Sequence, residues 1–179
     1  MSITRLIFGS LSVLILCTVL FSCGASAQKK VVPKSPYYDP NGIHWLTMEE
    51  AEAAHKTTPK DIYIMVFAQW CPNCEKFDKT TYLDTAVVNM INRDFYAVKL
   101  DAHTPEDIIW QDSTFSNPRY DTTKARDKPN SYNNVLYAIG AKSIPSMVFF
   151  NEKMEKTGSI MGYKDATKMK RILSLQKRK

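Results

Sequence analysis

Apolar positions fall along this chain in two different ways. Leu6 to Phe21 is an almost unbroken apolar run, whereas from Ile43 onward apolar residues come in short bursts separated by polar turns. Ile62–Ala68 (Ile-Tyr-Ile-Met-Val-Phe-Ala) is apolar throughout and rich in β-branched and aromatic residues, as a central strand buried on both faces requires. Phe95–Leu100, Ser146–Phe150 and Lys156–Met161 read as three further strands. Thr47 followed by Glu50 is a capping box opening a helix over about 48–55. A polar helical stretch runs over about 75–80, and Asp84 caps a second piece whose apolar face is Val87, Val88 and Ile91. A short helix over 130–139 is ended by Gly140, and another runs from Asp165 to about Leu175. Residues 102–130 are polar, with Pro105, Pro118 and Pro129 and the isolated aromatics Trp110, Phe115 and Tyr120. They show no period and read as an irregular insertion with one helical turn near 106–111. The sum is an α/β domain, a mixed central sheet flanked by helices, over 43–179.

The N-terminus changes where that domain is expected to work. Arg5 precedes the apolar run, and Ala25-Ser26-Ala27 follows it with small residues before the polar Gln28-Lys29-Lys30. This is the layout of a signal peptide over 1–27. Leu20-Phe21-Ser22-Cys23 also resembles a lipid-attachment box, and the run is barely long enough to serve as an uncleaved anchor. All three readings place the folded part outside the cytoplasm, in the periplasm, with lipid anchoring through Cys23 as the second of them. Residues 28–42, with three prolines and Gly42, form a tether.

Hydrophobic content of 44% and charged content of 23% in 179 residues suit one globular core. The net charge of +6 is scattered except in the tail, where Lys168, Lys170, Arg171, Lys177, Arg178 and Lys179 gather; a solvated helix end accounts for them. Nothing points to nucleic acid, and a monomer is expected. Six glycines form no phosphate-cradling loop, and no Ser-His-Asp set or carboxylate pair at catalytic spacing is evident.

The cysteines carry the chemistry. Cys17 and Cys23 lie in the export segment, which leaves Cys71 and Cys74 to the mature domain. Two cysteines three positions apart close too small a loop to staple a fold. Placed after a buried strand, at the first turn of a helix, they have another use. The helix N-terminus presents unpaired N–H groups and partial positive charge, which favour a thiolate. Cys71 is therefore the expected nucleophile, with a lowered pKa. Pro72 fits the first turn, where its missing N–H is not needed. Cys74 lies on the same helical face and can attack the mixed disulfide that Cys71 forms.

Phe67-Ala68-Gln69-Trp70-Cys71-Pro72-Asn73-Cys74 resembles the active-site segment of the thioredoxin family, which has a Trp directly before its Cys-x-x-Cys. Ala141-Lys142-Ser143-Ile144-Pro145-Ser146, followed by a strand, resembles the family's cis-proline loop. Cys74 to Tyr82 is most similar to the periplasmic C-terminal domain of the bacterial membrane thiol:disulfide interchange protein and related small exported thioredoxins. The resemblance spans about 43–175. It implies a thioredoxin fold with an insertion before the cis-proline loop and a redox-active Cys71–Cys74 disulfide, with no other cofactor and no metal. Trp70 and Pro72 then shape the substrate surface, Pro145 faces the disulfide, and Ile144 pairs its backbone with an extended substrate segment. The partners implied are protein disulfide substrates and a membrane thiol donor.

Two departures stand out. Thioredoxins usually carry a buried Asp in the strand before the active site, where this chain has Met65. Proton transfer from Cys74 then falls to water, a substrate group or a residue of the insertion. The insertion itself is long enough to be a lid, a specificity surface or a passive excursion. Two other classes compete with the enzyme. One is a copper or other metal carrier using the same thiols, although His44, His55 and His103 stand at no ligand spacing from them and His55 is expected on an exposed helix end. The other is a non-catalytic binding module on the same scaffold.

Overall fold

The computed structural model describes residues 42–177. The expected export segment, the tether up to residue 41, Cys17 and Cys23 lie outside the described residues. Strand β2 (Asp61–Phe67) is the axis of the domain. Its side chains alternate, with Ile62, Ile64 and Val66 entering the core on one face and Tyr63 and Met65 the core on the other. A strand with no polar face must sit mid-sheet with a layer on each side. Strand β3 (Phe95–Asp101) pairs parallel to it, and β6 (Ser146–Phe150) antiparallel. With β1 (Trp45–Leu46) and β7 (Lys156–Met161) the sheet order is β1-β3-β2-β6-β7. This is the expected mixed sheet. Two residues are too short for a period to show, so only the pairing of Trp45 with Ala97 and Leu46 with Val98 reveals β1.

Helices α1 (Met48–Thr57) and α4 (Val135–Ile139) cover one face, packing Met48, Ala51, Leu136 and Ile139 on Ile62, Val98 and Val148. Helices α3 (Thr85–Asp94) and α5 (Ala166–Gln176) cover the other, with Val87, Ile91, Met169 and Leu173 on Tyr63, Phe95 and Phe149. Each such buried side chain contributes about 1.5–3 kcal/mol. The caps are where the sequence puts them. Thr47 Oγ1 accepts from Glu50 N–H at 3.2 Å while Glu50 accepts from Thr47 N–H at 2.9 Å. Asp84 accepts from Val87 N–H at 3.0 Å, and Gly140 takes the left-handed conformation (φ 68°) that ends α4.

Three expectations are corrected. The helical turn near 106–111 is instead a hairpin, β4 (Ile108–Trp110) against β5 (Ser113–Phe115), closed by Gln111 and Asp112 at positive φ. Long-range contacts overrode a weak local preference here: α1 supplies Glu49 and Glu52 to accept from Ile109 and Gln111 N–H, and buried Trp110 packs edge-on against Phe150 at 5.2 Å. Helix α4 begins at Val135 rather than near 130, because the side chains of Asn130 and Asn133 are bonded to the insertion. His55 is buried, its Nδ1 2.8 Å from the Lys60 carbonyl, where it closes the turn into β2. The basic end of α5 is solvated, with Lys168 and Arg171 exposed; Lys170 pairs with Asp84 at 2.9 Å, and Lys177, just past the helix, with both Asp61 and Glu152 at 3.3 Å.

Candidate active site

Strand β2 delivers the chain to Trp70 at the carboxyl end of the sheet, and helix α2 (Pro72–Lys79) starts at once. Cys71 is its N-cap residue: the sulfur accepts from Cys74 N–H at 3.2 Å, and the Cys71 carbonyl takes the N–H groups of Cys74 and Glu75. Pro72 occupies the first turn. The expected placement holds, with the leading sulfur where unpaired helix N–H groups point and Cys74 one turn behind. The two are joined in a disulfide, Cα–Cα 5.3 Å apart.

Ala68, Cys71 and Cys74 form a small apolar cluster with Phe67, Trp70 and Ile144 packed against it. Ile144 comes from the loop that enters β6, the strand beside β2, and its bond to Pro145 is cis. The Pro145 carbonyl is held by Gly162 N–H at 2.8 Å, and Ser146 Oγ donates to the Ser143 carbonyl at 2.5 Å. Both cysteines are nearly buried, at 5% and 3% exposure. The accessible surface around them is therefore made by Gln69, Pro72 and Asn73, which are exposed, and by half-buried Trp70 and Ile144, with Pro145 buried behind them. Trp70, Ile144 and the dithiol meet at one place, with Pro72 next to Cys71 in the chain, although Ile144 is seventy or more positions away in sequence.

Under α2 the site is packed and apolar. Phe77 lies between Tyr82 and Tyr163, and the Tyr63 hydroxyl meets that of Tyr82 at 2.6 Å. Burial pushes the Tyr63 phenol above its ordinary value. Met65 is buried in this cluster, so β2 offers no carboxylate there. One turn beyond Cys74, Asp78 is paired with Lys99 at 3.0 Å. Among the described residues no group of three or more His, Cys, Asp or Glu is arranged to hold a metal ion.

The sequence offered the insertion as a lid, a specificity surface or a passive excursion, without naming the residue that stands beside the dithiol. His103, buried, lies against Trp70 with ring centroids 5.8 Å apart and stacks on Tyr132 at 4.9 Å. Its Nδ1 is 3.1 Å from the Ser131 carbonyl, and its backbone N–H donates to buried Asp101 at 3.0 Å. Asp101 in turn faces Arg126 at 3.7 Å. The Thr104 hydroxyl bonded to Glu106 holds that carboxyl below its usual range. The one available signal was position: Asp101-Ala102-His103 follows the strand next to β2, at the sheet end that carries the dithiol.

A family model for a thioredoxin-like domain matches residues 47–177. The chain therefore belongs to the thioredoxin-like domain family, and its closed Cys71–Cys74 pair is a thiol–disulfide redox centre. Among solved structures, a thioredoxin from Thermus thermophilus is similar with a TM-score of 0.55 and 15% identity, covering 75% of this chain and 86% of that one. A putative disulphide-isomerase from Bacteroides thetaiotaomicron is similar with a TM-score of 0.52 and 20% identity, covering 75% and 93%. The DsbH oxidoreductase is similar with a TM-score of 0.50 and 14% identity, covering 82% and 94%. At these identities the likeness is one of fold. No curated protein sequence matches the chain.

Proposed function

We propose that this protein is an exported thiol:disulfide oxidoreductase that reduces disulfides of other extracytoplasmic proteins. The observation that carries the reading is Cys71 at the N-cap of α2, disulfide-bonded to Cys74 and packed against Ile144 of the cis-proline loop. In the reduced form the N-terminal end of α2 favours the Cys71 thiolate. That thiolate attacks one sulfur of a substrate disulfide, a mixed disulfide forms, and the other substrate sulfur leaves as a thiolate and is protonated. Cys74 loses its proton, attacks the Cys71 sulfur and expels the second substrate thiol. Two electrons pass to the substrate, and the dithiol ends as the disulfide seen here. Trp70, Pro72 and Ile144 form the docking surface, backed by buried Pro145, with an extended substrate segment lying along Ile144.

Export rests on Arg5, the run from Leu6 to Phe21 and the small residues before Gln28, with release after Ala27 or lipid attachment at Cys23. An exported reductase has no access to cytosolic reductant, so the dithiol is renewed by a membrane protein that carries thiols.

Purified full chain, reduced and mixed with insulin, will precipitate the freed chains, and Cys71→Ser will not. Equal rates for the two would end the enzymatic reading. Metal found with the reduced wild type but lost from Cys71→Ser would favour the carrier instead. Cys74→Ser will trap a mixed disulfide with a membrane protein in cells, and trapping of soluble proteins alone would remove the donor. Equilibration against glutathione buffers gives direction; a pair that stays oxidised in reducing glutathione is a reductant.

A further inference from the structure

Among the described residues, two buried side-chain nitrogens or oxygens make no hydrogen bond: Trp70 Nε1 and His103 Nε2. They belong to two rings in contact with each other, beside the dithiol. Buried polar atoms are paired as a rule, and leaving one unpaired costs stability. Two at one contact therefore call for a local reason.

The contact also shows how Trp70 is held. Its indole N–H has no partner in the protein, so no bond to a side chain or backbone fixes the ring; packing on the disulfide and on His103 places it. The imidazole, by contrast, is fixed from two sides. The Ser131 carbonyl can only accept, so Nδ1 carries the hydrogen of that contact. Tyr132 stacks on the ring, 20° from parallel. Ser131 is itself clamped: its hydroxyl donates to Asn117 Oδ1 at 2.7 Å, and Asn117 Nδ2 donates to its carbonyl at 2.9 Å. A rigid chain thus runs from Asn117 through Ser131 and His103 to Trp70, the residue before the attacking sulfur.

We propose that His103 is a positioning residue of the exchange reaction, setting the place of the Trp70 indole on which a polypeptide substrate docks. This rests on the reading that the dithiol acts on protein disulfides. The insertion then has a definite task, to hold one wall of the docking surface still.

The test uses the full chain with three substitutions. His103→Ala removes the ring; His103→Leu keeps buried bulk without it, should the first variant fold poorly; His103→Phe keeps a stacking ring without the bond to Ser131. The expected result is a KM for an insulin disulfide raised about fivefold in His103→Ala and His103→Leu, kcat changed less than about twofold, and partial recovery in His103→Phe. In a Trp70→Ala background the His103 substitution should add nothing, since the two act through one contact. Additive losses, or an unchanged KM in folded variants, overturn the proposal. A second readout does not need turnover. The oxidised-minus-reduced change in tryptophan emission, attributable to Trp70 by its loss in Trp70→Phe, should shrink in His103→Leu. If the wild type turns over no protein disulfide while this signal still depends on His103, the proposed function has failed and the positioning stands. If turnover is present and neither signal nor KM responds, the positioning is wrong.

Discussion

Two segments leave the same end of the sheet and are built by opposite means. Residues 71–79 follow β2 and are organised locally: a cap, a proline in the first turn and a helix that closes on its own backbone. Residues 102–133 follow the neighbouring strand β3 and are organised from a distance. Asn133 N–H returns to the Ala102 carbonyl at 2.9 Å to close the neck, and Asn130 exchanges two bonds with Asp121 as a strand partner would. Trp110 is spent in the core against Phe150. The first segment carries the reactive atoms; the second fixes what stands beside them. A reactive centre can be written in a few consecutive residues, whereas the wall beside it needs contacts across the fold.

That contrast can be broken from either side. The largest effect falls on the local segment: Cys71→Ser should abolish disulfide exchange while the urea midpoint of the reduced protein stays at the wild-type value, because the sulfur supports chemistry more than packing. A large drop in that midpoint would show the dithiol helix to depend on the sulfur for its fold. Next, Trp110→Ala should cost about 3–5 kcal/mol of unfolding free energy, since it empties a fully buried site. A loss under about 1 kcal/mol would mean that the hairpin is an appendage and not part of the core. Asn117→Ala comes third, at about 1–3 kcal/mol, because it strips partners from the Thr104 and Ser131 carbonyls. Hydrogen exchange should quicken in 104–131 before it does in α2, and uniform quickening would contradict the segmental picture. The smallest effect lies outside both segments. Lys170 and the N–H of Val87 hold the Asp84 carboxyl below its ordinary value. A carboxyl with a lowered native pKa adds stability above its unfolded-state pKa, near 3.9, and loses it as pH falls through the native one. Asp84→Asn should therefore flatten the acid limb of the stability curve and leave neutral-pH exchange alone; an unchanged acid limb would discount the pair.

Legibility followed the same division. The unbroken apolar run at Ile62–Ala68, the capping box at Thr47, the Asp84 cap and the Gly140 stop are signals within a few residues, and each element stands within a few positions of its expectation. The dithiol helix and the loop at Ile144 were legible through motif. The hairpin was not, because Gln111-Asp112 is no turn signature and its strands are three residues each. His55 looked exposed because a helix end is usually wet; only the fold shows that the turn to β2 wraps over it. His103 was weighed only as a metal ligand: nothing in its neighbours in sequence says that Tyr132 and Trp70 will close on it.

What the chain alone determined is the chemistry and the class of fold. The periods of two and of 3.6, the caps and a Cys-x-x-Cys at a helix start all act through bonds and contacts between residues close in sequence, whose geometry the backbone already dictates. What only the tertiary structure decided is the company the dithiol keeps: Ile144 against the sulfurs, His103 against Trp70, Trp110 in the core. Those contacts are chosen by competition among all the surfaces the folded chain must bury and all the polar groups it must pair, and no short stretch of sequence records the outcome.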